Sequence, residues 1–99
     1  MPLSQSFAAS GLKVEPTAVS VGTSATLIAG TNGSRIACRI TNNHASAAVY
    51  LGSTSNVTAT TGMPLAAGQS YDDIYSRDAW YAISAASTID VRVLTVQVG

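Results

Sequence analysis

Few side chains in this sequence could do chemistry, and their spacing argues against it. His44 is the sole histidine and Cys38 the sole cysteine. A nucleophilic thiol needs a neighbouring base or positive charge to lower its pKa. Cys38 falls between Ile36 and Ile40 in an alternating run, which places it on an inward face where a free cysteine acts as a small hydrophobe. His44 sits among turn formers, Asn42-Asn43-His44-Ala45-Ser46, and reads as a solvated turn residue. Asp72 and Asp73 are adjacent in a strand-like run, so they point to opposite faces and cannot chelate one ion together. Adding Asp78 and Asp90 does not produce the spacing of a calcium loop. Gly30 and Gly33 precede a strand-like run and not a helix, which is no phosphate cradle. The expectation is a protein with no catalytic, cofactor-binding or metal-ligating residues, and no enzymatic activity.

What remains is chemistry of contact. Trp80 and Tyr81 are consecutive, so alternation sends one to the core and the other outward, as an anchor for a protein partner or a sugar ring. Hydrophobic residues make up 46% of the 99-residue chain and charged residues 10%, with a formal net charge of zero. A typical soluble domain carries about 25% charged residues. Ser, Thr, Ala and Gly stand in for the missing charge, and such surfaces shed water more cheaply than ionised ones. That profile suits a protein surrounded by other subunits. Arg35 and Arg39, four apart on one run, are expected to share a face, but two charges are too few to hold nucleic acid by counterion release.

The elements that must position these residues follow from a two-residue period. Leu12, Val14, Val19 and Val21 form one run, interrupted at Pro16, so it is expected at a sheet edge or as two short strands. A short run covers 25–29. Asn32-Gly33 is a hairpin signal that leads into 35–41, where Ile36, Cys38 and Ile40 are expected inward and Arg35, Ala37, Arg39 and Thr41 outward. Further strands are expected at 47–51, 64–65, 70–75, 79–84 and 88–98. Residues 52–69 form a long aperiodic stretch, functional or ordered by its own packing. In the last strand Ile89, Val91 and Val93 line one face. The other begins with Asp90 and Arg92 and turns apolar with Leu94, Val96 and Val98. A strand that becomes apolar on both faces is expected to enter a contact between subunits or sheets. No helical period appears. The expected fold is all-β: one compact β-sandwich or jelly roll of seven to eight short antiparallel strands over residues 12–99. Residues 1–11 are expected to form an N-terminal arm with Leu3 and Phe7 as its anchors.

Other features narrow the setting. One cysteine allows no intrachain disulfide. Residues 1–10 lack a basic n-region and an apolar h-region, so no signal peptide is expected and the chain is expected to be made in the cytoplasm. No apolar run approaches the roughly 20 residues that span a bilayer, and no membrane contact is expected.

From Arg35 onward the sequence resembles a group of small bacteriophage structural proteins. The matching residues are Ile40-Thr41-Asn42-Asn43, Val49-Tyr50-Leu51-Gly52, the closing loop Gly62-Met63-Pro64-Leu65-Ala66-Ala67-Gly68-Gln69-Ser70, Trp80-Tyr81-Ala82-Ile83-Ser84-Ala85 and Asp90-Val91-Arg92-Val93-Leu94. Residues 1–34 match less well, and Trp80-Tyr81 is bulkier than the usual pair. The resemblance implies a virion protein, foremost a capsid decoration (cement) protein that binds the assembled shell as a homo-oligomer, with a trimer favoured. Its partners would be the major capsid protein or other virion proteins. The alternatives are a head-fibre base and a tail or head–tail connector component; a further one, read from an exposed aromatic at Trp80 or Tyr81, is a carbohydrate-binding module on the virion. Expected partner contacts are Leu3, Phe7, Trp80, Tyr81, Leu94 and Val96, with the 53–67 loop beside them.

Overall fold

Segments rich in Val, Ile and Thr with a two-residue period can bury only one face each, and here they do so by pairing into two sheets packed face to face. The computed structural model describes residues 11–99. Its strands are β1 (Leu12–Val21), β2 (Thr26–Ala29), β3 (Arg35–Asn42), β4 (Val49–Gly52), β5 (Met63–Leu65), β6 (Ser70–Asp73), β7 (Trp80–Ser84) and β8 (Ile89–Val98). One sheet, sheet A, has the order β1-β8-β3-β6, and the other, sheet B, has the order β2-β7-β4-β5. Every pairing is antiparallel. The chain crosses between sheets at most connections, which makes this an eight-stranded jelly roll. The expected all-β sandwich is the fold. The expected arm residues Leu3 and Phe7 lie outside the described residues.

Between the sheets, Val21, Ile40, Val49, Leu51, Ala82, Ile89, Val91 and Val93 are buried together. Cys38 belongs to this cluster, as its place in the alternation predicts. Residues 53–62 are ordered by their own packing. Val57 is buried against the backbone of Gly52 and Gly62, where an added Cβ would stand 2.6 Å and 2.9 Å from its side-chain carbons. Gly68, at φ +78°, turns the chain into β6. Beside it, Gly68 N–H donates to Asn42 O at 2.8 Å.

Two expectations are corrected in and before β3. The Asn32-Gly33 turn does not close a hairpin, because β2 and β3 lie in different sheets. Asn32 instead builds a local turn: its Oδ1 accepts from Ser34 N–H at 2.9 Å and its carbonyl accepts from Arg35 N–H at 3.1 Å. Arg35 and Arg39 do not share a face either. Arg35 pairs with Gln97 but Ala37 pairs with Val96, a β-bulge that reverses the alternation at the start of the strand. Arg35 is therefore 1% exposed and Ile36 41% exposed, the opposite of the simple period.

The inverted arginine organises one end of the sandwich. Its Nη1 donates to Gly30 O at 3.2 Å, and its Nη2 to Asp78 O at 2.6 Å and Ser76 O at 3.4 Å. Asp73 Oδ2 stands 3.7 Å from Nη2. Asp73 in turn accepts from Trp80 Nε1 at 2.9 Å, from Ser76 Oγ at 2.8 Å, and from the N–H groups of Tyr75 and Ser76 at 2.9 and 3.0 Å. Burial alone would raise the pKa of this carboxyl. The hydrogen bonds from Trp80, Tyr75 and Ser76 outweigh it and hold the value at about 2.

A folded pKa below the ordinary carboxylate value means that Asp73 adds stability which is full above that value and is lost as pH falls through the folded one. The shift corresponds to on the order of 2 kcal/mol. In urea unfolding, Asp73→Asn should be less stable than wild type near neutrality. The gap should narrow by about that amount between about pH 5 and about pH 2. A gap independent of pH would contradict the assignment. Gly52→Ala should destabilise by about 1–3 kcal/mol through its clash with Val57, measured by the same unfolding curves. The double variant Gly52→Ala/Val57→Ala should recover part of that loss.

Candidate functional site

All five basic and five acidic residues lie on strands of sheet A or in the β6–β7 connection. Strands β2, β4, β5 and β7 carry none, so sheet B presents an uncharged outer face. That face is set by register: Leu27 pairs with Tyr81, and Tyr50 with both Ile83 and Pro64. Val57, tucked between Gly52 and Gly62, covers part of the β4 side and leaves Leu27 and Pro64 exposed.

Sheet A is the longer sheet, and polarity inverts along it. Where sheet B covers β1 and β8, the inward positions are Val19, Val21, Ile89, Val91 and Val93, and the outward ones are Ser20, Asp90 and Arg92. Towards the termini the phase of alternation is kept but the chemistry is exchanged. The inward positions become Lys13, Glu15, Thr17, Thr95 and Gln97, while Leu12, Val14, Pro16, Leu94, Val96 and Val98 occupy the outward ones. Leu12 is 61% and Val14 58% exposed. Ile74, just past β6, is also exposed beside this area, and with Ala37, Leu94 and Val96 it lines a shallow groove of about 260 Å³. A second groove of about 450 Å³ runs between Pro16, Ala18, Arg39, Arg92 and Leu94.

Charges around this aliphatic patch are neutralised locally. Arg39 Nε and Nη2 donate to the two oxygens of Asp72 at 2.7 and 2.9 Å, and these bonds lower the Asp72 pKa. Arg92 donates to Asp90 at 3.0 Å, and Asn43 Nδ2 adds a bond to Asp90 at 3.0 Å; both lower the Asp90 pKa. Asn43 thus reaches Asp90 from beyond the end of β3, and Arg92 turns to Asp90 on its own strand. Exposed pairs of this kind contribute little stability, but they neutralise these four charges beside the patch.

The structure separates the residues that sequence suggests for chemistry. Cys38 is buried in β3, and burial pushes its thiol pKa up. His44 lies beyond the far end of that strand, roughly 13 Å of extended chain past Cys38 to Asn42 alone. Its Nδ1 accepts the N–H groups of Ser46 and Ala47 at 3.1 and 2.9 Å and so closes the β3–β4 turn. Asp72 and Asp73 do point to opposite faces, one paired with Arg39 and one buried.

Among the expected contact residues, Leu94 and Val96 lie on the outer aliphatic patch. Trp80 does not stand out as an anchor. It packs on the core, edge-to-face with Tyr71 at 5.6 Å, with its indole N–H given to Asp73. Tyr81 takes the outward position on sheet B. Sequence reasoning missed Leu12, Val14 and Ile74 as surface residues of the same patch. The register of β1 on β8, which no single run reveals, brings the first two there.

No family model and no curated protein sequence matches this chain. A solved structure shares the fold with a TM-score of 0.59 at 16% identity, over 89% of this chain and 86% of the other. It is described as "Bacillus endospore appendages form a novel family of disulfide-linked pili". This overturns the capsid decoration reading: the structural relative is a pilus protein and not a component of a virion. The head-fibre, tail and connector alternatives rested on the same resemblance and are set aside with it, as is the sugar-binding module on the virion, which rested on an exposed aromatic. What the comparison shows is a common β-sandwich fold.

Proposed function

We propose that this chain is a structural subunit that assembles with further copies of itself into a pilus-like filament. The observation that carries the reading is the inversion of polarity along the β1–β8 pair. Six outward positions, three on each of two paired strands, Leu12, Val14, Pro16, Leu94, Val96 and Val98, are apolar, and no sheet among the described residues covers them. Contiguous aliphatic surface of this kind marks an interaction site. The pilus described for the structural relative supports a copy of the same chain as the partner.

One property of that relative does not carry over. Its pili are described as disulfide-linked, whereas the single cysteine here is 1% exposed in the core. A disulfide between copies would require the sandwich to open, so cohesion must come from surface contacts.

Purified protein raised in concentration should form filaments visible by negative-stain electron microscopy. Their sedimentation should be unchanged by dithiothreitol and by Cys38→Ser. A chain that sediments as a monomer throughout the millimolar range would overturn the reading, and filaments that dissolve on reduction would overturn the cohesion argument.

A further inference from the structure

A filament needs a heterologous contact, in which one surface of a subunit meets a different surface of the next; like-to-like contacts close into dimers. Resting on the filament reading, the question becomes which two surfaces meet. Edge strands are the obvious candidates, because they expose unpaired N–H and C=O groups. In this molecule all four edges are blunted. β1 carries Pro16, which has no N–H to give, together with Lys13 and Glu15. β5 is three residues long with Pro64 at its centre. β2 is four residues long, with irregular pairing between Leu27 and Ala29. β6 is four residues long and carries Asp72 and Asp73. Short strands, prolines, charges and irregularities are the devices that prevent edge-to-edge pairing.

The two outer faces remain, and they are unlike each other. We infer that the aliphatic patch of sheet A on one copy packs against the uncharged outer face of sheet B on the next, so that subunits stack sandwich upon sandwich. On the first side the contact residues are Leu12, Val14, Leu94, Val96, Val98 and Ile74. On the second they are Leu27, Tyr50, Tyr81 and Ile83.

Three observations fit this occupant. Charge is compatible: the strands of sheet B bring none, and four charges flanking the patch on sheet A are already paired as Arg39–Asp72 and Arg92–Asp90, so the approach of a second copy strands none of these four. Composition is compatible: an apolar centre with tyrosines on one side and ion pairs at the margin has the anatomy of a specific interface. Size is compatible: the face of sheet B, with strands of three to five residues, fits within the longer face of sheet A, where β1 and β8 run ten residues each, and makes a contact smaller than the roughly 800 Å² per partner of a standard interface. The two faces also lie on opposite sides of the sandwich, so a contact between them leaves a free face at each end. Such a contact propagates.

The arrangement has a diagnostic consequence. Val14→Glu disables the sheet A patch and Leu27→Glu disables the sheet B face; both positions are exposed, so the fold should survive, as circular dichroism and melting would confirm. Val98→Glu serves as a second variant of the first face if Val14→Glu fails to fold. Each variant alone should lose filaments, with the assembly threshold raised on the order of tenfold or more. Mixed in equal amounts, the two should form one-to-one heterodimers and nothing longer, because each supplies the face that the other has lost. Sedimentation of the mixture reads this directly. If either variant alone assembles like wild type, or the mixture stays monomeric, the stacking is wrong while the filament reading stands. If wild-type protein itself never assembles, the filament reading fails and the stacking falls with it.

Discussion

The buried Arg35–Asp73 pair is the constraint on which the rest of this molecule depends. A β-bulge turns Arg35 inward, and its guanidinium then ties three pieces of backbone, at Gly30, Ser76 and Asp78, to the start of β3. Asp73 ties β6 to Trp80 at the start of β7 in the opposite sheet. Removing either partner would leave a charge in the interior, a loss of about 3–5 kcal/mol. The pair also marks an end of the covered core. Near it the long strands of sheet A run on with no sheet of the described residues above them, and the pattern of side chains changes accordingly.

That change is the link from fold to function. In a strand with one buried face, the apolar positions should point to the core throughout. Along β1 and β8 they do so only as far as Val19 and Val93, and nearer the termini the polar residues face inward and the aliphatic ones outward. The energetics suit assembly from a soluble pool. Full burial of an aliphatic side chain contributes about 1.5–3 kcal/mol, and these side chains are already partly covered. One such patch therefore offers several kcal/mol, against about 4–15 kcal/mol for the lost freedom of association. A single contact is weak. In the proposed filament, order would come from concentration and from each subunit using both faces.

Much of the fold was legible in sequence. The two-residue period located all eight strands of the described residues. What escaped had physical causes. A bulge inserts one residue without altering composition, so nothing in 35–41 showed that Arg35 and Ile36 exchange faces. The Asn32-Gly33 dipeptide encodes a turn but not whether the next strand stays in the same sheet. Alternation left open which of Trp80 and Tyr81 turns inward, because Asp73, the partner of Trp80, lies seven residues earlier on another strand. The motifs that suggested a virion protein serve the fold itself. Asn42 Nδ2 donates to Ala47 O and Leu65 O at 2.9 Å each, Gly52 makes room for Val57, and Gly68 adopts a left-handed turn. Any jelly roll of this size needs such residues, so they specify architecture and leave the biological station open. The aliphatic patch was half visible, in Leu94 and Val96. The other half required the register of β1.

The central claim is that the outward aliphatic surface at the terminal end of sheet A is covered in the working state of the protein. A helical reconstruction of the assembled particle by electron cryomicroscopy tests it most directly. The account predicts Leu12, Val14, Leu94 and Val96 buried under a neighbouring copy, with sheet B as the covering element. A reconstruction that leaves those four side chains in solvent, with copies joined through their strand edges, would contradict it.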